Sequence, residues 1–302
     1  MNEEDLKQIA KVVKWMAETG NGTDLCLEEG CLPVPVHFYQ PIPDLNDLRS
    51  RKVWDRVSPL RGINMNPDSQ IALLKEMAAL FGHECKWPLD PTSNPDDFYL
   101  RNNSFGFQCA SLLHYMIRYF APKKIIEVGS GFSSRIISSA IKLNTDTQCE
   151  YSIIDPYPGE TVKRLKANLN INRVEEVPES FFEQLESGDI LFIDSSHCVR
   201  IGGDVNYLIL DVLPVLKKGV IIHFHDIPMP SEYGEIYFTN PKFRMFWTES
   251  YLLQAFLMFN NSFSVLASVG YLYRHHPEIL PQIFLNDPLG TGSGSIWLRR
   301  VG

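Results

Sequence analysis

From about residue 106 onward, short apolar runs alternate with stretches whose apolar residues recur at helical spacing. This alternation restricts the fold more than any other feature of the chain. The pattern predicts strands at 124–128, 151–155, 173–177, 189–194 and 219–225, with helices between them at 132–143, 160–169, 179–186 and 203–216. A further helix is predicted at 247–260, and two late strands begin at Phe263 ("FSVLA") and Ser295 ("SIWLRR"). Strands joined through helices pair in parallel, so the expected architecture is an α/β, doubly wound, mainly parallel sheet with helices on both faces. "DILFID" and "GVIIHF" are nearly continuous apolar runs, as central strands buried on both faces require.

Residues 1–105 have a different texture and are expected to form a helical and Pro-rich cap layer on the 106–302 sheet domain. Leu6, Ile9, Val13 and Met16 predict an amphipathic helix over 3–18, and "SQIALLKEMAALFG" predicts another. The prolines of "CLPVPVHFYQPIPDLNDL" and "KWPLDPTSNPDDFY" forbid long regular structure there. The formal net charge of -8 argues against nucleic-acid or anionic-membrane partners, because both need a basic face. The amino terminus lacks the basic and apolar regions of a signal peptide, and no CxxC pair occurs among the six cysteines. Free thiols in the cytoplasm are therefore the expectation.

The chemistry starts in "KKIIEVGSGFSSRIISSAI", Lys123 to Ile141, where an apolar strand breaks into Glu127, Gly129 and Gly131 before a helical pattern. Glycines at such a turn let a ligand approach the backbone beside a helix amino terminus. Asp155 ends the next predicted strand, where a carboxylate is suited to ribose hydroxyls. Together they suggest an adenosine-containing cofactor. A dinucleotide fingerprint needs a third glycine where Ser134 stands, and Glu127 would repel a pyrophosphate. S-adenosylmethionine, cationic and free of phosphate, suits that carboxylate better.

"EVGSGFSS" resembles the first motif of class I S-adenosylmethionine-dependent methyltransferases. "ILFIDSSH", "GVIIHFHD", "WTESYLLQAFLMFN" and "GSGSIWLRR" look like a bacterial branch that includes metal-assisted O-methyltransferases of antibiotic and sugar tailoring. The resemblance covers roughly residues 100–302. It implies a Rossmann-like sheet of seven strands with an antiparallel final pair. It also implies that Gly129, Gly131 and Ser133 meet the methionine end of the cofactor, that Glu127 orders the loop or meets the ammonium through water, and that Asp155 holds the ribose. Glu179 and Ser180 are the candidates for adenine.

At the reacting end, Asp194 closes the fourth predicted strand, His197 follows it, and His225 and Asp226 close the fifth. The resembling branch binds a divalent ion there, which implies Asp194, His225 and Asp226 as ligands, with a histidine in place of one carboxylate. That donor set suits Mn²⁺, Fe²⁺ or Zn²⁺ better than Mg²⁺. A hydroxyl acceptor can be activated by such a metal or by His197 or His225 as general base. His223 reads as a core histidine. The expectation is a methyltransferase acting on a small-molecule acceptor. The alternatives are an NAD-dependent oxidoreductase and a non-catalytic regulatory protein that binds S-adenosylmethionine.

Overall fold

A computed structural model of the chain describes all residues except 241–243, 291 and 293. Seven strands form one sheet: β1 (Lys124–Val128), β2 (Glu150–Ile154), β3 (Asn168–Asn170), β4 (Ile190–Ile193), β5 (Ile221–Phe224), β6 (Phe263–Ser268) and β7 (Ile296–Arg300). Their order is β3-β2-β1-β4-β5-β7-β6. Strands β1 to β5 pair in parallel, and β7 runs antiparallel to both β5 and β6. The chain winds outward from β1 to β3, then returns to place β4 against the other side of β1. That reversal opens a crevice beyond the carboxyl ends of β1 and β4, where ligands of such sheets bind.

The two-residue period of the strands sorts their side chains onto two cores. Ile125, Ile153, Ile190, Phe192 and Trp297 face one core, shared with α2 (Pro67–Phe81), α3 (Phe107–Phe120) and α4 (Phe132–Leu143). Ile126, Val128, Ile154, Leu191, Ile193 and Phe224 face the other, closed by Val205, Leu208 and Leu213 of a helix opening at Asp204–Tyr207 and by Leu253 and Leu257 of α5 (Glu249–Leu257). All four residues of β4 and of β5 are buried, as their unbroken apolar runs require.

The chain divides into two compact units, Met1–Arg56 with Gly234–Phe246, and Val57–Tyr233 with Trp247–Gly302. The division falls at Arg56 rather than near 105, because residues 57–105 supply core to the sheet. Leu74, Met77, Phe98, Leu100 and Phe105 are 5% exposed or less, within the same core as Ile125 and Phe192. The first unit contains α1 (Glu3–Thr19), started by an Asn2–Asp5 capping box and stopped by Gly20 at φ 75°. Among the described residues no helix is long and apolar enough to cross a membrane.

Local departures concentrate on the crossover from β2 to β4. The third strand lies at Asn168–Asn170, and Val174–Glu176 of the expected strand is a 3₁₀ turn. An edge strand pairs on one side only, so "NLN" carries too little apolar signal to be found. Val174 and Val177 are apolar because they are buried, at 4% and 3% exposure, outside any strand. The expected helix at 160–169 ends at Lys163, and that at 179–186 is reduced to a turn at Glu179–Phe181.

Candidate functional site

Parallel pairing carries the site residues to one rim of the sheet. The ladder continues one residue past each strand: Gly129 N–H donates to the Ile154 carbonyl at 3.0 Å, Asp194 N–H to Val128 at 2.9 Å, His225 N–H to Ile193 at 2.9 Å and Asp155 N–H to Asn170 at 3.1 Å. Residues distant in sequence thus end side by side. Between them lies a cleft of about 370 Å³ walled by Gly129, Ser130, Asp155, Tyr157, Arg173–Glu175, Asp194 and Ser196.

Gly129 has two reasons to be glycine. Its φ is +79°, and a Cβ would stand 1.8 Å from the Asp194 carbonyl oxygen. At Gly131 nothing lies within 4 Å of a Cβ position, so the backbone there is open to a ligand. Glu127 is fully buried and accepts hydrogen bonds from Ser133 Oγ at 2.6 Å, from Ser134 Oγ at 2.8 Å and from the Tyr151 hydroxyl. Burial pushes its carboxyl up to about 7, against the pull of those three donors. Glu127 thus orders the turn from beneath and is not a wall of the cleft. The Ser133 hydroxyl, expected at the methionine end of the cofactor, donates to Glu127, and only 3% of the residue is exposed. The residue at the third glycine position, Ser134, is a serine because it serves both Glu127 and the Gly131 N–H, at 3.0 Å.

Asp155 faces the cleft. It accepts from Ser130 N–H at 2.9 Å and Ser130 Oγ through Oδ2, and from Tyr157 N–H at 2.8 Å through Oδ1. The N–H groups of Gly129, Ser130 and Gly131 therefore all donate within the protein. These three amides are not offered to a pyrophosphate, which counts against the dinucleotide alternative. The cleft walls after β3 are Arg173, Val174 and Glu175, and not the expected Glu179 and Ser180.

Beyond Asp194, three side chains converge. Ligand-type atoms of Asp194, His197 and Asp226 lie within 4.8 Å of one another. His197 Nε2 is 3.2 Å from Asp194 Oδ1 and 3.9 Å from Asp226 Oδ2. His197 at φ 58° and Asp226 at φ 50° both hold left-handed backbone, a cost that non-glycine residues bear where surroundings over-determine them. Burial pulls His197 down, but Asp194 and Glu249 outweigh it and raise the imidazole to about 10. Burial opposes ionisation of Asp194 too, yet the charges of His225 and His197 hold it below the ordinary carboxylate range. Burial raises Asp226, only partly offset by the same two histidines.

His225, expected as a ligand and base, packs against aromatic rings beside these residues. It does not belong to the converging trio among the described residues. It is 3% exposed, stacks on Phe105 at 4.9 Å, and contacts His223 Nε2 through Nδ1 at 3.3 Å, while its Nε2 stands 3.8 Å from Asp226 Oδ1. Both residues follow the end of β5, where Asp226 leaves the extended conformation at φ 50°. His223 is a core histidine, stacked on Phe192 at 4.2 Å and against Trp297 at 4.4 Å, and burial holds it neutral.

Two contributors carry no signal in the sequence. Ser130, between the glycines, reads as a turn residue. Glu249 reads as an ordinary first-turn helix carboxylate, yet it is fully buried and its Oε2 is 2.7 Å from His197 Nδ1.

Residues 126–227 match the family described as a methyltransferase domain. An uncharacterized protein of Archaeoglobus fulgidus is 30% identical over 181 residues, spanning 56% of this chain and 80% of that protein. Among solved structures, the S-adenosylhomocysteine-bound methyltransferase PaMTH1 of Podospora anserina is 17% identical, covering 86% of this chain and 98% of its own, with a TM-score of 0.39. The O-methyltransferase TomG of Streptomyces achromogenes, in complex with S-adenosylmethionine, is 12% identical over 76% of this chain and 90% of its own, also with a TM-score of 0.39. By its sheet order and its matched methyltransferase domain, the chain belongs to the class I S-adenosylmethionine-dependent methyltransferases.

Proposed function

We propose that this methyltransferase alkylates a hydroxyl group of a small-molecule acceptor, and that Asp194, His197 and Asp226 hold a divalent cation beside it. One observation carries the reading. With Nδ1 of His197 committed to Glu249, its Nε2 faces two carboxylates, Asp194 and Asp226, and only a cation reconciles a nitrogen lone pair with two anions at that range. A proton fills that role in the free imidazolium, and Mn²⁺, Fe²⁺ or Zn²⁺ suits the mixed oxygen and nitrogen donors.

Such an ion supplies Lewis acidity that lowers the pKa of a bound hydroxyl. The chain's own residues do the rest. Asp155 offers its remaining lone pairs to the ribose hydroxyls, and Tyr157 and Val174 flank the cleft for the adenosyl group. The open backbone at Gly131 admits the methionine portion, and Glu127 keeps the turn in place from below. S-adenosylmethionine contributes the electrophilic methyl. Gly129 and Asp194 meet at the rim between the two halves of the site, so methyl donor and hydroxyl would lie on either side of one backbone contact.

The test is calorimetric titration of S-adenosylmethionine and, separately, of Mn²⁺ into wild-type protein and Asp226→Ala, followed by methyl-transfer assays on hydroxylated acceptors. The expected outcome is binding of both ligands by the wild type and loss of the Mn²⁺ signal alone in the variant. Equal Mn²⁺ binding by the two proteins would refute the cation site.

A further inference from the structure

We infer that Glu249 is the positioning residue of this site: it holds His197 with Nδ1–H donated to its carboxylate, so that Nε2 is the atom presented to Asp194 and Asp226. The inference rests on the proposed cation site for its consequence, but its geometry stands independently.

Glu249 has no exposed surface, and Oε2 lies 2.7 Å from His197 Nδ1. Its other oxygen, Oε1, is buried without a hydrogen-bond partner among the described residues. A carboxylate placed in the interior with half its capacity unused is costly, by more than the favourable dipole of a helix first turn offsets. What it meets is one imidazole nitrogen. An ionised carboxylate accepts only, so the nitrogen facing it carries hydrogen.

The surrounding backbone points the same way. The first residues of α5 grip the loop that bears His197: the N–H groups of Thr248 and Glu249 both donate to the His197 carbonyl, at 2.8 and 3.1 Å. Thr248 Oγ1 in turn accepts from Val199 N–H at 2.8 Å. The Trp247 ring packs against the imidazole with centroids 4.4 Å apart. Three consecutive residues, Trp247, Thr248 and Glu249, thus fix the backbone, ring and nitrogen of His197, whose φ of 58° would not persist unsupported. An imidazole that serves a cation through one nitrogen needs its other nitrogen held in this way.

The experiment uses the full chain, with Glu249→Gln, Glu249→Ala and His197→Gln. The first readout is the NMR signal of the hydrogen-bonded Nδ1 proton of His197, assigned by its loss in His197→Gln and recorded with and without Zn²⁺. The second is Zn²⁺ affinity by calorimetry, with S-adenosylmethionine affinity as the check that each variant is folded. We expect a protected Nδ1 proton in the wild type that is lost in Glu249→Ala. Zn²⁺ affinity should fall about 10–100-fold in Glu249→Ala and less in Glu249→Gln, whose amide oxygen can still accept. S-adenosylmethionine affinity should stay within about 2-fold, since Glu249 is not a wall of that cleft. Wild-type Zn²⁺ affinity in Glu249→Ala, or a Nδ1 proton that persists there, overturns the inference. A wild type that binds no Zn²⁺ but loses the Nδ1 proton on substitution would refute the cation site and leave the positioning role intact.

Discussion

Gly129→Ala is the most demanding test of how the two halves of the site are joined. The new methyl would sit 1.8 Å from the Asp194 carbonyl oxygen, more than 1 Å inside the 3.0 Å that real Cβ contacts respect. Rotating a side chain cannot relieve it, because the obstacle is backbone whose own N–H is tied to Val128. The φ of +79° adds roughly 1–2 kcal/mol for any L side chain. Overpacking of this kind costs about 1–3 kcal/mol. The total, about 2–5 kcal/mol, is a large share of a stability of roughly 5–15 kcal/mol. Denaturant unfolding should show it, and a shift of about 2–4 °C per kcal/mol puts the fall in Tm at roughly 4–20 °C. Because relief must push Asp194 away from β1, Mn²⁺ binding should weaken along with stability. Gly159→Ala is the control: φ is -66°, nothing lies within 4 Å, and the cost should stay below about 1 kcal/mol. A Gly129→Ala protein as stable as wild type would refute the claim that the glycine is required by the β1–β4 contact.

Two further outcomes are expected. Glu127 titrates near 7 in the folded protein against 4.5 for an ordinary glutamate, so the folded state prefers its protonated form. Its contribution to stability is full below 4.5 and is lost as pH rises through 7, on the order of 3 kcal/mol for the 2.5-unit difference between those values. Unfolding free energies of wild type and Glu127→Gln at pH 5 and pH 8 should therefore diverge in the variant's favour at the higher pH, and a constant gap would sink the assignment. Asp155→Ala removes the acceptor proposed for the ribose hydroxyls, and S-adenosylmethionine affinity should fall roughly 10–100-fold with Mn²⁺ binding unaltered. Equal losses of both ligands would instead indicate collapse of the rim through Ser130.

Much of this site is written in local sequence. Gly129, Asp155, Asp194 and Asp226 each stand just past a strand whose apolar run is unmistakable, and a parallel sheet sends all such ends to one edge. The edge strand Asn168–Asn170 is not legible there, because a strand half open to solvent has little periodicity. A motif locates the rim without saying what each side chain there touches: Ser133 and Ser134 both turn to Glu127, and His225 stacks on Phe105.

By itself the sequence determined the doubly wound sheet, the glycine turn and the carboxylates at the strand ends, since these follow from periodicity and from residue types adjacent along the chain. Only the tertiary structure decided that Glu127 is consumed by Ser133, Ser134 and Tyr151, that His197 rather than His225 joins Asp194 and Asp226, and that Glu249 stands behind it. Those pairings span distances in sequence over which no local pattern extends. They exist because packing brings β4, β5 and the start of α5 together, and because a buried carboxylate must find its partner wherever the fold places one.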